Sequence, residues 1–151
     1  MKIFLLTHER ELHRVTNTGA LAIDDSNEIV ERIVWDRVNP NKGLMELIEN
    51  NEALLLYSKG ESSSAIIQAY ENIVIIDSTW QESQKIFNQS SYLKTAPQFT
   101  LNTPNDSLYK LRGNQPKGGL CTIECIIEVL RIKGENKIAS VLALKFEQFN
   151  G

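Results

Sequence analysis

The chain has 151 residues, of which 42% are hydrophobic and 23% charged, and it carries a net charge of −3. Those values fit a single soluble globular domain spanning residues 1–151 and exclude a disordered, fibrous or comfortably two-domain chain. The acidic balance counts against a broad electrostatic grip on nucleic acid, while leaving room for a local one from residues such as Arg10, His13, Lys85 and Lys117.

Residues 2–7 form a brief apolar run ending in polar residues, which predicts a strand buried on both faces of a sheet. A second strand is expected over 29–35, where β-branched residues cluster, and Asn39-Pro40-Asn41 then breaks the chain. Leu44, Leu47 and Ile48 have helical spacing and predict a short helix over 43–51. A third buried strand is read at 53–57 and a polar loop at 58–64. The fourth strand ends in Ile75-Ile76-Asp77 and delivers Ser78-Thr79-Trp80 into a helix over 80–89, with Ser78 or Thr79 as its cap. Loops are expected at 102–106 and 113–119, and alternation at 109–112 is compatible with a strand. Ile123, Ile126, Ile127 and Leu130 trace one face of a helix over 120–133 that Gly134 stops, and a last helix covers 136–149. Strands alternating with helices predict an α/β fold with a mainly parallel sheet and flanking helices.

No apolar run reaches the roughly 20 residues that cross a bilayer, and no signal-peptide pattern precedes the first strand. A cytoplasmic protein without a membrane partner is expected. Cys121 and Cys125 lie four apart, on one face if helical, which is poor evidence for a secreted disulfide framework, and two cysteines without a nearby histidine pair make no zinc site, so no metal is expected.

Asp77 is the most informative residue, because ligands of open α/β sheets bind beyond the carboxyl ends of the strands. Its structural alternative is a helix-start aspartate interacting with the helix dipole. Trp80 is read mainly as a packing residue, with base stacking as the alternative. Asn17-Thr18-Gly19 taken alone is a turn, His8 and Glu11 a local surface pair, and Arg14 a planar fork suited to a carboxylate or phosphate.

Three blocks in order resemble a known family. Asp77-Ser78-Thr79-Trp80 is similar to the Asp-x-Thr-Trp signature of the DTW-domain family, the tRNA-uridine aminocarboxypropyltransferases. Upstream, His8, Glu11, Arg14 and Asn17-Thr18-Gly19 resemble its His-x-x-Glu-x-x-Arg-x-x-Asn-Thr-Gly block. Downstream, Tyr109-Lys110-Leu111-Arg112 and Thr122-Ile123-Glu124 resemble its last two blocks, with Cys121 and Cys125 in place of the usual serine and alanine and Ser78 in place of a frequent glycine.

The resemblance implies a fold related to the SPOUT methyltransferases with a C-terminal trefoil knot, and S-adenosylmethionine as donor of an aminocarboxypropyl group to N3 of a uridine. It implies Asp77 and Thr79 as catalytic residues. Cofactor contacts fall to Asn17, Thr18, Gly19, Leu56, Tyr57, Ser78, Trp80, Tyr109, Leu111, Arg112 and Thr122, and substrate contacts to Arg14, Lys110 and Glu124. The implied partner is tRNA, with ribosomal RNA, a methyltransferase of related fold and a non-catalytic RNA-binding domain as alternatives. Many members carry a cysteine-rich segment ahead of the first strand. This sequence opens on that strand, so the domain surface or a partner protein is expected to dock the RNA, and a monomer is favoured.

Overall fold

The computed structural model describes residues 1–23, 28–61, 64–101, 107–111 and 120–151, and within them the apolar runs form a five-stranded parallel sheet. Its strands are β1 (Lys2–Thr7), β2 (Val30–Val34), β3 (Ala53–Glu61), β4 (Asn72–Asp77) and β5 (Gln98–Phe99), in the order β2-β1-β4-β3-β5. Register places Thr7 level with both Val34 and Asp77, so β2, β1 and β4 end along one edge.

The helices are α1 (Ala20–Ile23), α2 (Lys42–Glu49), α3 (Ser64–Gln68), α4 (Trp80–Gln89), α5 (Ser91–Lys94), α6 (Thr122–Ile132) and α7 (Asn136–Asn150), and a 3₁₀ helix at Glu9–His13 follows β1. Strand residues alternate between two cores. Ile3, Leu5, Leu54, Ile73 and Ile75 join Ile123, Ile126, Leu130 and Leu142 of α6 and α7. Phe4, Leu6, Leu55 and Val74 join Leu44, Ile48, Ile86 and Leu93 of α2, α4 and α5. Both faces of the central strands are covered, which is why those strands read as unbroken apolar runs, and each fully buried side chain contributes about 1.5–3 kcal/mol.

Local chemistry fixes the helix ends that matter for the site. Thr79 and Glu82 form a reciprocal capping box at the start of α4, with Thr79 N–H donating to Glu82 Oε1 at 3.1 Å and Glu82 N–H to Thr79 Oγ1 at 3.3 Å. Gly134, with φ +82°, ends α6, and the N–H of Glu135 donates to the carbonyl of Leu130 at 2.8 Å.

Three sequence expectations change. The polar run read as a loop after residue 57 continues β3 as far as Glu61. The short elements α3, α5 and β5 were not anticipated, because two to five residues are too few to show a period. Tyr109 to Leu111 is irregular rather than a strand: Tyr109 N–H donates to Ser107 Oγ at 3.1 Å and Lys110 N–H to Asn150 Oδ1 at 2.8 Å, so side chains take the bonds a ladder needs. The knot depends on the path of 102–106 and 112–119, which lie outside the described residues, as do Arg112, Lys117 and the loops expected at 102–106 and 113–119.

Candidate active site

From the end of β1 the chain proceeds to β2 on one side, whereas from β4 it proceeds through α4 and α5 to β5 on the other. Such a reversal opens a crevice at the carboxyl edge of the sheet, between β1 and β4. His8 N–H donates to the Asp77 carbonyl at 3.1 Å and Trp35 N–H to the Thr7 carbonyl at 2.8 Å, which knits the three strand ends together.

The Asp77 carboxylate is the centre of this edge and is only 1% exposed. Its Oδ1 accepts from Asn17 Nδ2 at 2.9 Å and from Thr122 Oγ1 at 3.0 Å; its Oδ2 accepts from Thr7 Oγ1 at 3.1 Å. Arg32 Nη2 stands 3.6 Å from Oδ2. Burial pushes the Asp77 proton affinity above that of an ordinary aspartate; the Thr122 and Asn17 hydrogen bonds pull it back, nearby Glu11 raises it further, and Arg32 lowers it. Gly19 lies against the carboxylate, where a β-carbon would come within 2.9 Å of Oδ2. The glycine is therefore needed for close approach.

Asn17 joins the motif blocks. Its Nδ2 donates to both Asp77 and Glu11 Oε1, the latter at 2.9 Å, and its Oδ1 accepts from Ala20 N–H at 2.8 Å and Arg32 Nη2 at 2.9 Å. Both donor hydrogens and both acceptor positions of the amide are thus used. Glu11, fully buried, pairs with Arg14. Arg14 continues to Glu82 in a fork of 2.7 and 2.8 Å, and these hydrogen bonds raise its proton affinity, with Glu82 the larger contributor. The same pair holds the Glu82 carboxyl down at about 2. Glu82 in turn caps α4 through Thr79, so a chain of hydrogen bonds runs from Asp77 to the start of α4.

The structure brings Asn17, Gly19, Thr122 and Asp77 into direct contact, with Thr18 beside them: Thr18 Oγ1 accepts from Ile123 N–H at 3.1 Å and anchors α6 to the first motif block. Thr79 is engaged as the cap of α4. Ser78 bonds Ser83 Oγ at 2.7 Å; among the described non-glycine residues only Glu28 and Asn51 have positive φ, so Ser78 replaces a glycine without strain.

Other placements differ from the expectations. Arg14, expected as a substrate contact, is held by Glu11 and Glu82 and braces the site. Glu124, expected as a substrate contact, accepts from Ser107, from Leu108 N–H at 2.9 Å and from Cys121 N–H at 3.0 Å, which ties residues 107–108 to α6. Tyr109 packs beside Phe146 and Phe149 and donates its hydroxyl to the Thr16 carbonyl. Tyr57 stacks on Phe87 at 4.1 Å. Among the described residues no hydrogen bond or ion pair joins Leu56, Tyr57, Lys110 or Leu111 to the Asp77 network. His8 and Glu11 are buried, not a surface pair, and His8 stacks on Trp35 with centroids 6.0 Å apart. Trp80, expected mainly to pack, is 37% exposed on the first turn of α4, so its ring is covered only in part.

Sequence reasoning missed Thr7, Arg32 and Glu82. Glu82 was legible as the last member of a Thr-x-x-Glu capping box. Arg32 was visible as a charge inside a predicted strand, a placement that calls for a partner. Thr7 carried no separate signal.

Together these features define an α/β protein with a carboxylate-centred site at the switch point of a parallel sheet. The DTW domain family model matches residues 1–151, and the chain belongs to that family. The family implies a transferase role in RNA modification. No solved structure matches the chain. Among the described residues no helix is long and apolar enough to cross a membrane, and no cluster of three or more His, Cys, Asp or Glu side chains is placed to hold a metal.

Proposed function

We propose that residues 1–151 act as one catalytic unit that transfers the 3-amino-3-carboxypropyl group of S-adenosylmethionine to N3 of a uridine in tRNA. The observation that carries this reading is the convergence of all three motif blocks on one buried carboxylate: Asn17 and Gly19 from the first, Asp77 from the second and Thr122 from the third. A fold needing only a helix start would not require it.

The charges present suit a cationic donor. Two carboxylates, Asp77 and Glu11, are buried side by side on the Asn17 amide, a setting that a sulfonium nearby would favour. The turn Asn17-Thr18-Gly19 would border the donor's amino-acid end with its backbone, because its side-chain groups and the space beside Gly19 are already engaged with Asp77, Glu11, Arg32 and Ile123. When bound, the donor supplies an activated carbon on sulfur, and methylthioadenosine leaves as N3 gains that carbon.

Asp77 takes the N3 proton. A uracil imide is a weak nucleophile while protonated, and a positioned base contributes typically ~10²–10⁴-fold. The raised proton affinity of Asp77 brings it closer to that task than an ordinary aspartate. Of its three hydrogen-bond donors, Thr7 and Asn17 are buried and Thr122 is half-buried. The imide therefore approaches from the Thr122 side and displaces that hydroxyl at Oδ1. The other partners keep the carboxylate in place.

Mass spectrometry of nucleosides from a bulk tRNA pool incubated with protein and S-adenosylmethionine tests the reading. A mass gain of one aminocarboxypropyl group on uridine, reduced about 10²-fold or more by Asp77→Ala, is expected. A methyl gain, or no gain in tRNA beside a gain in ribosomal RNA, would overturn it.

A further inference from the structure

Arg32 lies outside the three motif blocks, yet it enters the site from β2 and is the only guanidinium beside Asp77 among the described residues. Its engagement is partial. Nη2 donates to Asn17 Oδ1 at 2.9 Å, while the same nitrogen stands 3.6 Å from Asp77 Oδ2, beyond a good hydrogen bond. Nε is buried and has no hydrogen-bond partner among the described residues. An arginine fork closed on a carboxylate would place two N–H groups of one edge on the two oxygens in a short bidentate pair. Here the fork stops short, although an unpaired buried N–H is costly and calls for a reason.

We propose that Arg32 is a positioning residue that acts on Asp77 by charge alone, at a distance that forms no closed ion pair and leaves the carboxylate able to exchange a proton. This inference rests on Asp77 being the base. A closed pair would favour ionisation so strongly, and occupy Oδ2 so fully, that the carboxylate would be a poor acceptor for a substrate proton. Without any cation, only the Thr122 and Asn17 hydrogen bonds would oppose burial and Glu11, and Asp77 would remain protonated over more of the working pH range. The intermediate distance avoids both extremes. Asn17 enforces it: the amide oxygen holds the guanidinium while the amide nitrogen holds Asp77 and Glu11, so one side chain spaces the cation from both anions.

The other described charged groups near Asp77 are held as follows. From the 3₁₀ helix and the turn after it, Glu11 meets Asn17 and Arg14 neutralises Glu11; from α4, Glu82 is bound to Arg14, with His8 Nδ1 3.9 Å from Glu82. On the α6 side Thr122 contributes an uncharged donor, and Glu124 is turned to residues 107–108 and 121. Among the described residues, Arg32 is thus the cation that faces Asp77 itself.

The test is a carboxyl-carbon NMR titration of Asp77 in the wild-type protein, Arg32→Met and Arg32→Lys, run beside the pH profile of transfer. Loss of the cation favours the protonated acid, so Arg32→Met is expected to move the Asp77 midpoint upward by about one pH unit or more, and the acid limb of the rate profile with it. Arg32→Lys, which keeps the charge, restores most of the shift. An unmoved midpoint in Arg32→Met, or a shift equally large in Arg32→Lys, overturns the proposal. The titration needs no turnover, so the two readings separate: a shifted midpoint with an unshifted rate profile supports control by Arg32 and counts against Asp77 as the base. If Arg32→Met does not fold, the midpoint in Arg32→Lys compared with Arg32→Gln decides.

Discussion

Gly19 and Asp77 are packed so closely that a β-carbon on Gly19 would lie 2.9 Å from Asp77 Oδ2 and 3.1 Å from Cγ and Oδ1. The atoms it would meet belong to a carboxylate held by three hydrogen bonds, not to the loose end of a surface chain. Gly19→Ala is therefore expected to cost about 1–3 kcal/mol, the usual range for an inserted methyl in a packed interior. Displacing Asp77 should also lower transfer at least about tenfold, since small misplacements of a reacting group are costly. Urea unfolding and single-turnover transfer measure the two effects, and an alanine variant with wild-type values of both would show that the contact relaxes freely.

The Arg14–Glu82 pair gives stability a defined dependence on acid. The Glu82 carboxyl falls from an ordinary 4.5 to about 2, chiefly through the Arg14 hydrogen bonds. A depressed carboxyl contributes stability that is fully present above its unfolded value and is lost as pH falls through its folded one. The loss therefore belongs between about pH 4.5 and pH 2. Glu82 is 12% exposed, so solvent screening reduces the contribution to about 2 kcal/mol. Glu82→Gln should be less stable than wild type at pH 7 and nearly equal to it at pH 2, as denaturant midpoints across that range will show.

The layers of this fold were legible because buried parallel strands and amphipathic helices write strong periods. Lys2–Thr7 and Trp80–Gln89 occupy the predicted spans, and the starts and ends of α6 and α7 differ from prediction by at most two residues. The short elements were not legible, and neither was the irregular course of Tyr109 to Leu111, which is set by side chains distant in sequence such as Asn150. For the site, pattern alone suggested Asp77 through its position at a strand end. That Asn17 would bridge Asp77 to Glu11, that Arg14 would be consumed by two carboxylates and that Arg32 would stand beside the centre are facts of three-dimensional convergence. Polar side chains carry no period that reports such partners.

Thr122 separates its hydrogen bond from its packing. Its hydroxyl donates to Asp77 Oδ1 at 3.0 Å and so favours the ionised carboxylate. Thr122→Val keeps the shape and removes the donor. The Asp77 midpoint should rise, shifting the acid limb of transfer to higher pH, while stability at neutral pH falls by about 1–2 kcal/mol, more than the bond's net worth because the acceptor stays buried. Thr122→Ser should behave like wild type in the pH profile. A valine variant whose profile stays in place would place the hydroxyl outside the titrating unit.

Trp80 offers the clearest separation of binding from folding. Its ring is 37% exposed and begins the helix three residues beyond Asp77, while the capping of α4 is carried by Thr79 and Glu82. Removing it should disturb the fold little. If the site takes an unpaired uridine, as proposed, an exposed ring on the first turn of α4 can stack on a base, an interaction worth ≈ 1–3 kcal/mol by alanine substitution. Trp80→Ala is expected to weaken RNA binding by about 5- to 150-fold, with Trp80→Phe intermediate and both unfolding within about 1 kcal/mol of wild type. Fluorescence anisotropy with labelled tRNA, beside denaturant unfolding, gives both numbers. Equal affinity in all three proteins would remove Trp80 from the RNA surface, whereas a large stability loss in Trp80→Ala would return it to the core role that its position in the sequence first suggested.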